Sequence, residues 1–373
     1  KKADMSAFFD LDFKLPLDRF NLEVKFRSDL STLGVFGQSG CGKTSLLHCI
    51  AGLRRAEGRI CLGSQYLLDT ADGIHLPPEK RMLGFVPQDH RLFPHLTVEG
   101  NLRAGSSRAV KKHGSKRVEK RFSEVVQILE LSALLRRKTI ALAGGESQRV
   151  AIGRALCSMP ELLLLDEPLA SLDEALRERC LPFLIRIRRE FDIPMLVVSH
   201  NPAELQILCE EVIVLRQGSI ISRGPAIEVL PRHAQESNGN TESFESILRL
   251  KISSHEATVS KARLLLSSGE GPTITIPKQT QAVGSTIHIG IGANELILAR
   301  STITGLSARN ELIGVIQAIE TKPWGGLVVV EVDPSSGAQL TAALTQNAIE
   351  ELELKVGLAV HVLFKSNVIR VYG

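Results

Sequence analysis

The stretch Gly37-Gln-Ser-Gly-Cys-Gly-Lys43-Thr44 constrains this chain more than any other feature. The spacing G-x-x-x-x-G-K-[ST] marks a loop whose backbone N–H groups wrap phosphate oxygens, whose lysine reaches the β- and γ-phosphates, and whose hydroxyl is available to Mg²⁺. Such a loop works between a strand and a helix, because the helix N-terminus adds partial positive charge at the phosphates. Leu33–Phe36 reads as that strand, and Ser45–Ala51 starts like that helix. The phosphate-contacting candidates are therefore Gly37, Gln38, Ser39, Gly40, Cys41, Gly42, Lys43, Thr44 and Ser45. A second part of the same chemistry is Leu162-Leu-Leu-Leu-Asp166-Glu167, an apolar strand ending in two acids. Asp166 is expected in the Mg²⁺ shell beside Thr44. Glu167 is placed to polarise an attacking water as general base. Adjacent carboxylates after a buried strand are costly unless paired or metal-bound.

The 373-residue length suggests two to three domains. The first ~230 residues alternate short apolar runs with helix-like segments, the pattern of a mostly parallel sheet. Met195–Val198 is another buried-strand run, and Val212–Leu215, Gly218 and Ile220–Ile221 read as a hairpin. From about Arg91 to Pro160 the pattern is helical. We therefore expect an α/β domain over residues 1–231 with a helical subdomain about 91–160, then a polar linker over 232–245. Residues 246–373 should form a β-rich domain, because strand-like alternation recurs at Thr273–Ile276, Thr286–Ile289, Gly326–Val332 and Val360–Phe364. Its two halves hint at a weak repeat that no residue pattern fixes.

The net charge of +4 is mild, and nucleic-acid binding usually shows as a strongly basic domain or stripe; no nucleic-acid partner is expected. Arg103–Arg121 is locally basic, which reads either as a solvated helical face or as a surface near anionic headgroups. No apolar run approaches the ~18–20 residues of a spanning helix, and the start of the chain lacks the apolar stretch of a secretory signal. A membrane role would come through a partner. Six scattered cysteines without C-x-x-C spacing fit a reduced cytosolic protein. Cys41, at a helix N-terminus beside Lys43, is expected to have a lowered thiol pKa and to be alkylation-sensitive, unless it merely fills the loop.

The order of the remaining motifs narrows the class. Gln88 lies in Gly84-Phe-Val-Pro-Gln88, Leu142-Ala-Gly-Gly-Glu146-Ser-Gln-Arg149 opens a helix, Ser171-Leu172-Asp173 follows Glu167, and His200 ends the strand beyond. This ordered set resembles the ABC transporter ATPases. The resemblance implies an α/β P-loop ABC ATPase domain with helical subdomain, followed by a small all-β (OB-like or molbindin) domain. It implies that Gln88 contacts Mg²⁺ and water, and that Ala143, Gly144 and Gly145 form the signature loop reaching ATP on the opposite subunit. Asp173 would lie at the dimer seam and His200 would bond the γ-phosphate. ATP and Mg²⁺ are the implied cofactors and a head-to-tail homodimer the implied assembly. Two positions depart from the pattern: Ala143 stands where serine is usual, removing a hydroxyl from the γ-phosphate, and Ser147 where arginine is common. The adenine-stacking aromatic is expected at Phe20 or Phe13.

The stretch Leu76–Arg81, Asp89–His95 and Arg149–Leu156 is similar to molybdate-importer ATPases. Ser307-Ala-Arg309-Asn310, Thr345, and Lys365-Ser366 resemble the molbindin (TOBE-type) unit, about residues 305–372. This implies an oxyanion site at Ser307, Arg309, Thr345, Lys365 and Ser366, whose hydroxyls and cations suit a tetrahedral dianion; Asn347 replaces a serine often seen there. The expected function is ATP hydrolysis powering import of molybdate, or tungstate, through permease subunits fed by a solute-binding protein, at the cytoplasmic face of the inner membrane. The alternatives are the same ATPase for sulfate, a sugar or a polyamine, and a weakened ATPase with a mainly regulatory oxyanion-binding role.

Overall fold

The computed structural model describes residues 8–170, 172–234, 245–266, 269–322, 324–333 and 338–372. Ser171 and residues 235–244 of the expected linker lie outside them. The chain divides into two compact units, Lys1–Val229 and Leu230–Gly373.

The first unit is an eleven-stranded mixed sheet with helices. Its strands are β1 Phe9–Pro16, β2 Asn21–Ser28, β3 Thr32–Phe36, β4 Glu57–Leu62, β5 Gln65–Asp69, β6 Ile74–His75, β7 Leu83–Val86, β8 Leu162–Asp166, β9 Met195–Ser199, β10 Glu211–Arg216 and β11 Ser219–Pro225. Its helices are α1 Lys43–Ala51, α2 Val98–Leu102, α3 Ser106–His113, α4 Ser115–Ile128, α5 Gly144–Cys157, α6 Glu174–Phe191 and α7 Pro202–Leu208, and α8 Ala226–Ala234 runs across its boundary with the second unit. Strand order is β6-β5-β4-β1-β2-β11-β10-β3-β9-β8-β7. β10, β3, β9, β8 and β7 run parallel. Every residue of β3, β8 and β9 is buried, which is why they read as continuous apolar runs rather than alternating ones. β1 and β2 instead alternate, with Phe9, Leu11, Phe13, Leu22, Val24 and Phe26 turned into the core and charges outward. Between β7 and β8 the chain is helical, and α4 sinks Val118, Phe122, Val125 and Val126.

Arg81 is one of the largest fully buried side chains and faces no carboxylate among the described residues. Its guanidinium donates to the carbonyls of Cys49 (2.8 Å), Ile50 (2.7 Å) and Leu76 (2.7 Å). Two of these carbonyls belong to the last turn of α1, where a cation is favoured. The helix that starts at the phosphate loop is thus pinned at its other end. The expected linker starts later than residue 232, because α8 runs through Ala234, and β12 already begins at Glu245.

The second unit contains β12 Glu245–His255, β13 Val259–Leu266, β14 Gly269–Pro277, β15 Thr286–Gly292, β16 Ile297–Ala299, β17 Asn310–Lys322, β18 Gly325–Asp333, β19 Ala338–Leu344, α9 Gln346–Glu351, β20 Ala359–Phe364 and β21 Arg370–Tyr372. Two five-stranded sheets, β14-β13-β12-β15-β21 and β19-β18-β17-β20-β16, enclose one core of Leu, Ile and Val. The weak repeat of the sequence is a repeat of topology. β12–β16 and β17–β21 have the same succession and pairings, each with a 3₁₀ turn before its last strand. Each half gives that last strand to the other half's sheet: β16 pairs β20 and β21 pairs β15.

Candidate functional site

Five parallel strands bring their carboxyl ends to one edge of the sheet, the place where open α/β sheets bind ligands. The loop after β3 turns through Gly40 (φ +82°) and Gly42 (φ +111°), backbone that other residues adopt only with strain. Gly42 then caps α1. Gln38, Ser39 and Gly40 form an exposed rim, Gly37 and Cys41 are buried, and Ser45 lies in the first turn of α1.

Lys43 is buried. Its ammonium donates to the carbonyls of Gly37 (2.7 Å) and Gln38 (3.1 Å) and lies 3.4 Å from Glu167 Oε1. Asp166 ends β8, and the Thr44 hydroxyl donates to its Oδ1 at 3.2 Å. Burial pushes the Asp166 carboxyl up, against the pull of the Thr44 hydrogen bond. Glu167 follows with left-handed backbone (φ +48°), a cost that a non-glycine residue bears mainly where its side chain must be aimed. Its second carboxylate oxygen is hydrogen-bonded to His200 Nδ1. Burial alone would raise Glu167, but His200 and Lys43 outweigh it and hold the carboxyl down. The same hydrogen bond raises His200. The two neighbouring acids are thus driven apart: one faces a hydroxyl, the other two cations. Gln88 is exposed just after β7, on the same sheet edge.

The turn carrying His200 is held by groups the motif reading missed. Ser199 Oγ accepts from Asn201 N (3.0 Å) and donates to Glu204 Oε2 (2.8 Å). Glu204 is buried and ion-paired with Arg177 of α6 at 3.3 Å. A buried acid four residues after a strand-ending histidine was the available signal.

The signature residues stand elsewhere on the same unit. Ala143 is the exposed N-cap of α5, and Gly144 and Gly145 are its first residues. Glu146 accepts from Ala143 N at 3.0 Å, half of a capping box. The other half needs a side-chain acceptor that alanine lacks. Asp173 caps α6, accepting from Leu176 N at 2.9 Å. No hydrogen bond joins these residues to the Lys43–Glu167–His200 set within the described residues of one chain. Phe20 is half-buried beside the phosphate loop, its ring 3.7 Å from where a Gly42 side chain would begin, whereas Phe13 is a core residue 1% exposed. The expectation for Cys41 is corrected: the thiol is 7% exposed, and burial raises its pKa more than Lys43 lowers it.

In the second unit, Ser307, Arg309, Thr345 and Lys365 are exposed and Ser366 is half-buried. Thr345 Oγ1 caps α9 through Ala348 N (3.3 Å). Arg309 and Lys365 have no carboxylate partner among the described residues. Asn310, part of the same motif, is buried and spent on structure: its amide trades two hydrogen bonds with the backbone of Thr275, at 2.7 and 2.9 Å.

A model of the ABC transporter family matches residues 20–170, and a TOBE domain model matches residues 306–371. A molybdenum import ATP-binding protein, ModC, of Rhizobium johnstonii is 37% identical over 358 residues, covering 95% of this chain and 98% of the relative. The protein of that name from Salmonella typhimurium is 40% identical over 333 residues, covering 89% and 91%. Among solved structures, cbiO1 from Clostridium perfringens, part of the ABC transporter complex cbiONQ, superposes with a TM-score of 0.52 at 21% identity, over 62% of this chain and 93% of that one. At that identity the likeness is one of fold.

Proposed function

The chain belongs to the ABC transporter ATPases of the molybdenum-import kind, and we propose that it works as a homodimer at the cytoplasmic face of the inner membrane, coupling ATP hydrolysis to entry of molybdate, or tungstate, through permease subunits fed by a solute-binding protein. The observation that carries the reading is the convergence of Lys43, Thr44, Asp166, Glu167 and His200 at the ends of β3, β8 and β9.

The phosphates of ATP lie in the loop Gly37–Ser45, where backbone N–H groups and Lys43 meet them. Phe20 supports the base. The oxygens of Thr44 and Asp166 suit a hard cation that keeps waters and shares phosphate oxygens. Asp166 is raised by burial and by the Glu167 and Asp89 carboxylates, against the Thr44 hydroxyl and the Lys43 ammonium, surroundings that suit a cation. Mg²⁺ held by Thr44, Asp166 and Gln88 would spread the charge that develops on the transferred phosphoryl group. Glu167 takes the proton of the attacking water. Its lowered pKa keeps it ionised at neutral pH, and His200 fixes its direction while facing the γ-phosphate. Ala143, Gly144, Gly145 and Asp173 complete the pocket of the opposite copy, which is why they stand apart from Lys43 in one chain. Glu167→Gln tests this reading: size-exclusion chromatography with ATP should show a trapped dimer, and full turnover by the variant would refute it.

Ser307, Arg309, Thr345, Lys365 and Ser366 are the oxyanion-binding residues. Two exposed cations without acid partners among the described residues, with hydroxyls in the same motif, suit a tetrahedral dianion. Calorimetry with molybdate, sulfate and phosphate distinguishes a molybdate site from that of an importer for another solute. The absence of a hydroxyl at Ala143 favours a second reading, a slowed ATPase whose β unit is chiefly regulatory; turnover measured with the cognate permease separates the two.

A further inference from the structure

The repeated topology of the second unit allows its halves to be compared residue by residue. Gly290 opposes Arg370 across β15 and β21, and Leu363 opposes Ile297 across β20 and β16. The 3₁₀ turns that follow β15 and β20, Ala293–Glu295 and Ser366–Val368, align under this correspondence. The strands therefore match without a gap, Ile291 with Phe364, and the residues that follow them match as well: Gly292 with Lys365, and Ala293 with Ser366. The cross-strand partners extend it. Ser246 opposes Ile291 and Asn310 opposes Phe364, so Ser246 matches Asn310 and Glu245 matches Arg309. An independent contact agrees: Ser246 Oγ accepts from Thr341 N at 2.9 Å, just as Asn310 Oδ1 accepts from Thr275 N at 2.7 Å. Thr275 thus matches Thr341, and Gln279 matches Thr345.

Four of the five site positions differ in chemistry; the fifth, Ser307, falls by count on Ser243, outside the described residues. The second repeat offers Arg309, Thr345, Lys365 and Ser366. The first offers Glu245, Gln279, Gly292 and Ala293. Two cations and two hydroxyls are replaced by a carboxylate, an amide, no side chain and a methyl group. Gln279 turns its amide to its own Pro277 carbonyl at 2.9 Å. Glu245 is already engaged, receiving Arg370 Nη1 (3.1 Å) and the Tyr372 hydroxyl (3.0 Å). That cluster lies where β21 completes the first repeat's sheet. At the matched exchange, Ile297 and Ala299 take the places of Arg370 and Tyr372, and Arg309 stays open to solvent. Among the described residues, an anion at the matched place of the first repeat would meet the Glu245 carboxylate with Arg370 already paired to it; like charge in a partly buried place opposes its binding.

We propose that the two repeats have divided their roles: the second alone binds a tetrahedral oxyanion, and the first has given its equivalent place to an acid–base–phenol clasp that holds the exchanged C-terminal strand. The proposal rests on the oxyanion reading given above and fixes the number and location of the sites. The test is calorimetric titration of the whole nucleotide-free chain with sodium molybdate, backed by equilibrium dialysis. One class of sites is expected, with no more than one molybdate per chain. Lys365→Ala, an exposed position, should weaken all of the binding about tenfold or more, as loss of a charge-assisted hydrogen bond does. Gly292→Asp, at a position of extended backbone (φ −65°) where the nearest neighbour of a new Cβ is the movable Glu295 carboxylate at 3.2 Å, should leave the affinity unchanged. Two molybdates per chain, a class of sites that survives Lys365→Ala, or a large loss in Gly292→Asp would place a working site in the first repeat; each overturns the proposal while leaving the oxyanion reading in place. Absence of any molybdate binding by the native chain would remove both.

Discussion

Replacing Ala143 with serine should act twice, through two separable mechanisms. Ala143 has the extended backbone of an N-cap (φ −70°, ψ 163°), and Glu146 already accepts from its N–H at 3.0 Å. A serine hydroxyl would accept from the helix's free first-turn N–H groups and close the reciprocal pair. Ala-to-Ser at an N-cap contributes about 1 kcal/mol, or roughly 2–4 °C in Tm for a unit of this size. The second effect exists only in the ATP-bound dimer, where the same hydroxyl would reach the γ-phosphate across the seam. A hydrogen bond to a charged group contributes about 1.5–3 kcal/mol, so a contact made only in the transition state would raise turnover about tenfold or more. The assays are thermal melting of the nucleotide-free chain and ATPase turnover with the cognate permease. Ala143→Gly is the control, since glycine caps tolerably but offers no hydroxyl. A higher Tm with unchanged turnover would refute the phosphate contact and leave the cap standing. An unchanged Tm would refute the cap.

Glu167→Gln should lower turnover by about 10²–10⁴-fold, the usual worth of a general base, with ATP binding retained in an equilibrium assay. Arg81→Met should cost on the order of 3 kcal/mol in denaturant melts, because three buried carbonyls lose their donor; a neutral result would mean that water replaces the guanidinium. Cys41 should react slowly with maleimide in the native chain at neutral pH, since burial raises its thiol pKa; reaction at the rate of a free thiol would contradict this. His200 is raised by its bond to Glu167, so its contribution to stability is complete below its ordinary value near 6.5 and is lost as pH rises through the raised value. Melts of the nucleotide-free chain should show that loss on the alkaline side, and His200→Ala should abolish it.

The nucleotide half was legible because each of its parts has a fixed chemical reason to be where it is. A phosphate cradle needs glycines at φ values such as those of Gly40 and Gly42, and buried parallel strands must be unbroken apolar runs, so β3, β8 and β9 declared themselves. What stayed hidden depended on who faces whom. Cys41 shares its position with residues that lower a thiol pKa, yet depth in the loop decides the sign. Arg81 read only as part of a stretch similar to molybdate-importer ATPases, because its partners are main-chain carbonyls, which leave no mark in a sequence. The repeat of the second unit was hidden for a related reason. Its halves preserve hydrogen-bond register while exchanging their last strands, reversing charge at one matched position, Glu245 against Arg309, and losing it at another, Gly292 against Lys365. Topology of that kind is carried by backbone pairing, which tolerates nearly any side chain on an exposed position. Side-chain identity was therefore free to diverge between the halves, and that divergence is what makes one half a candidate for an anion and the other for a clasp.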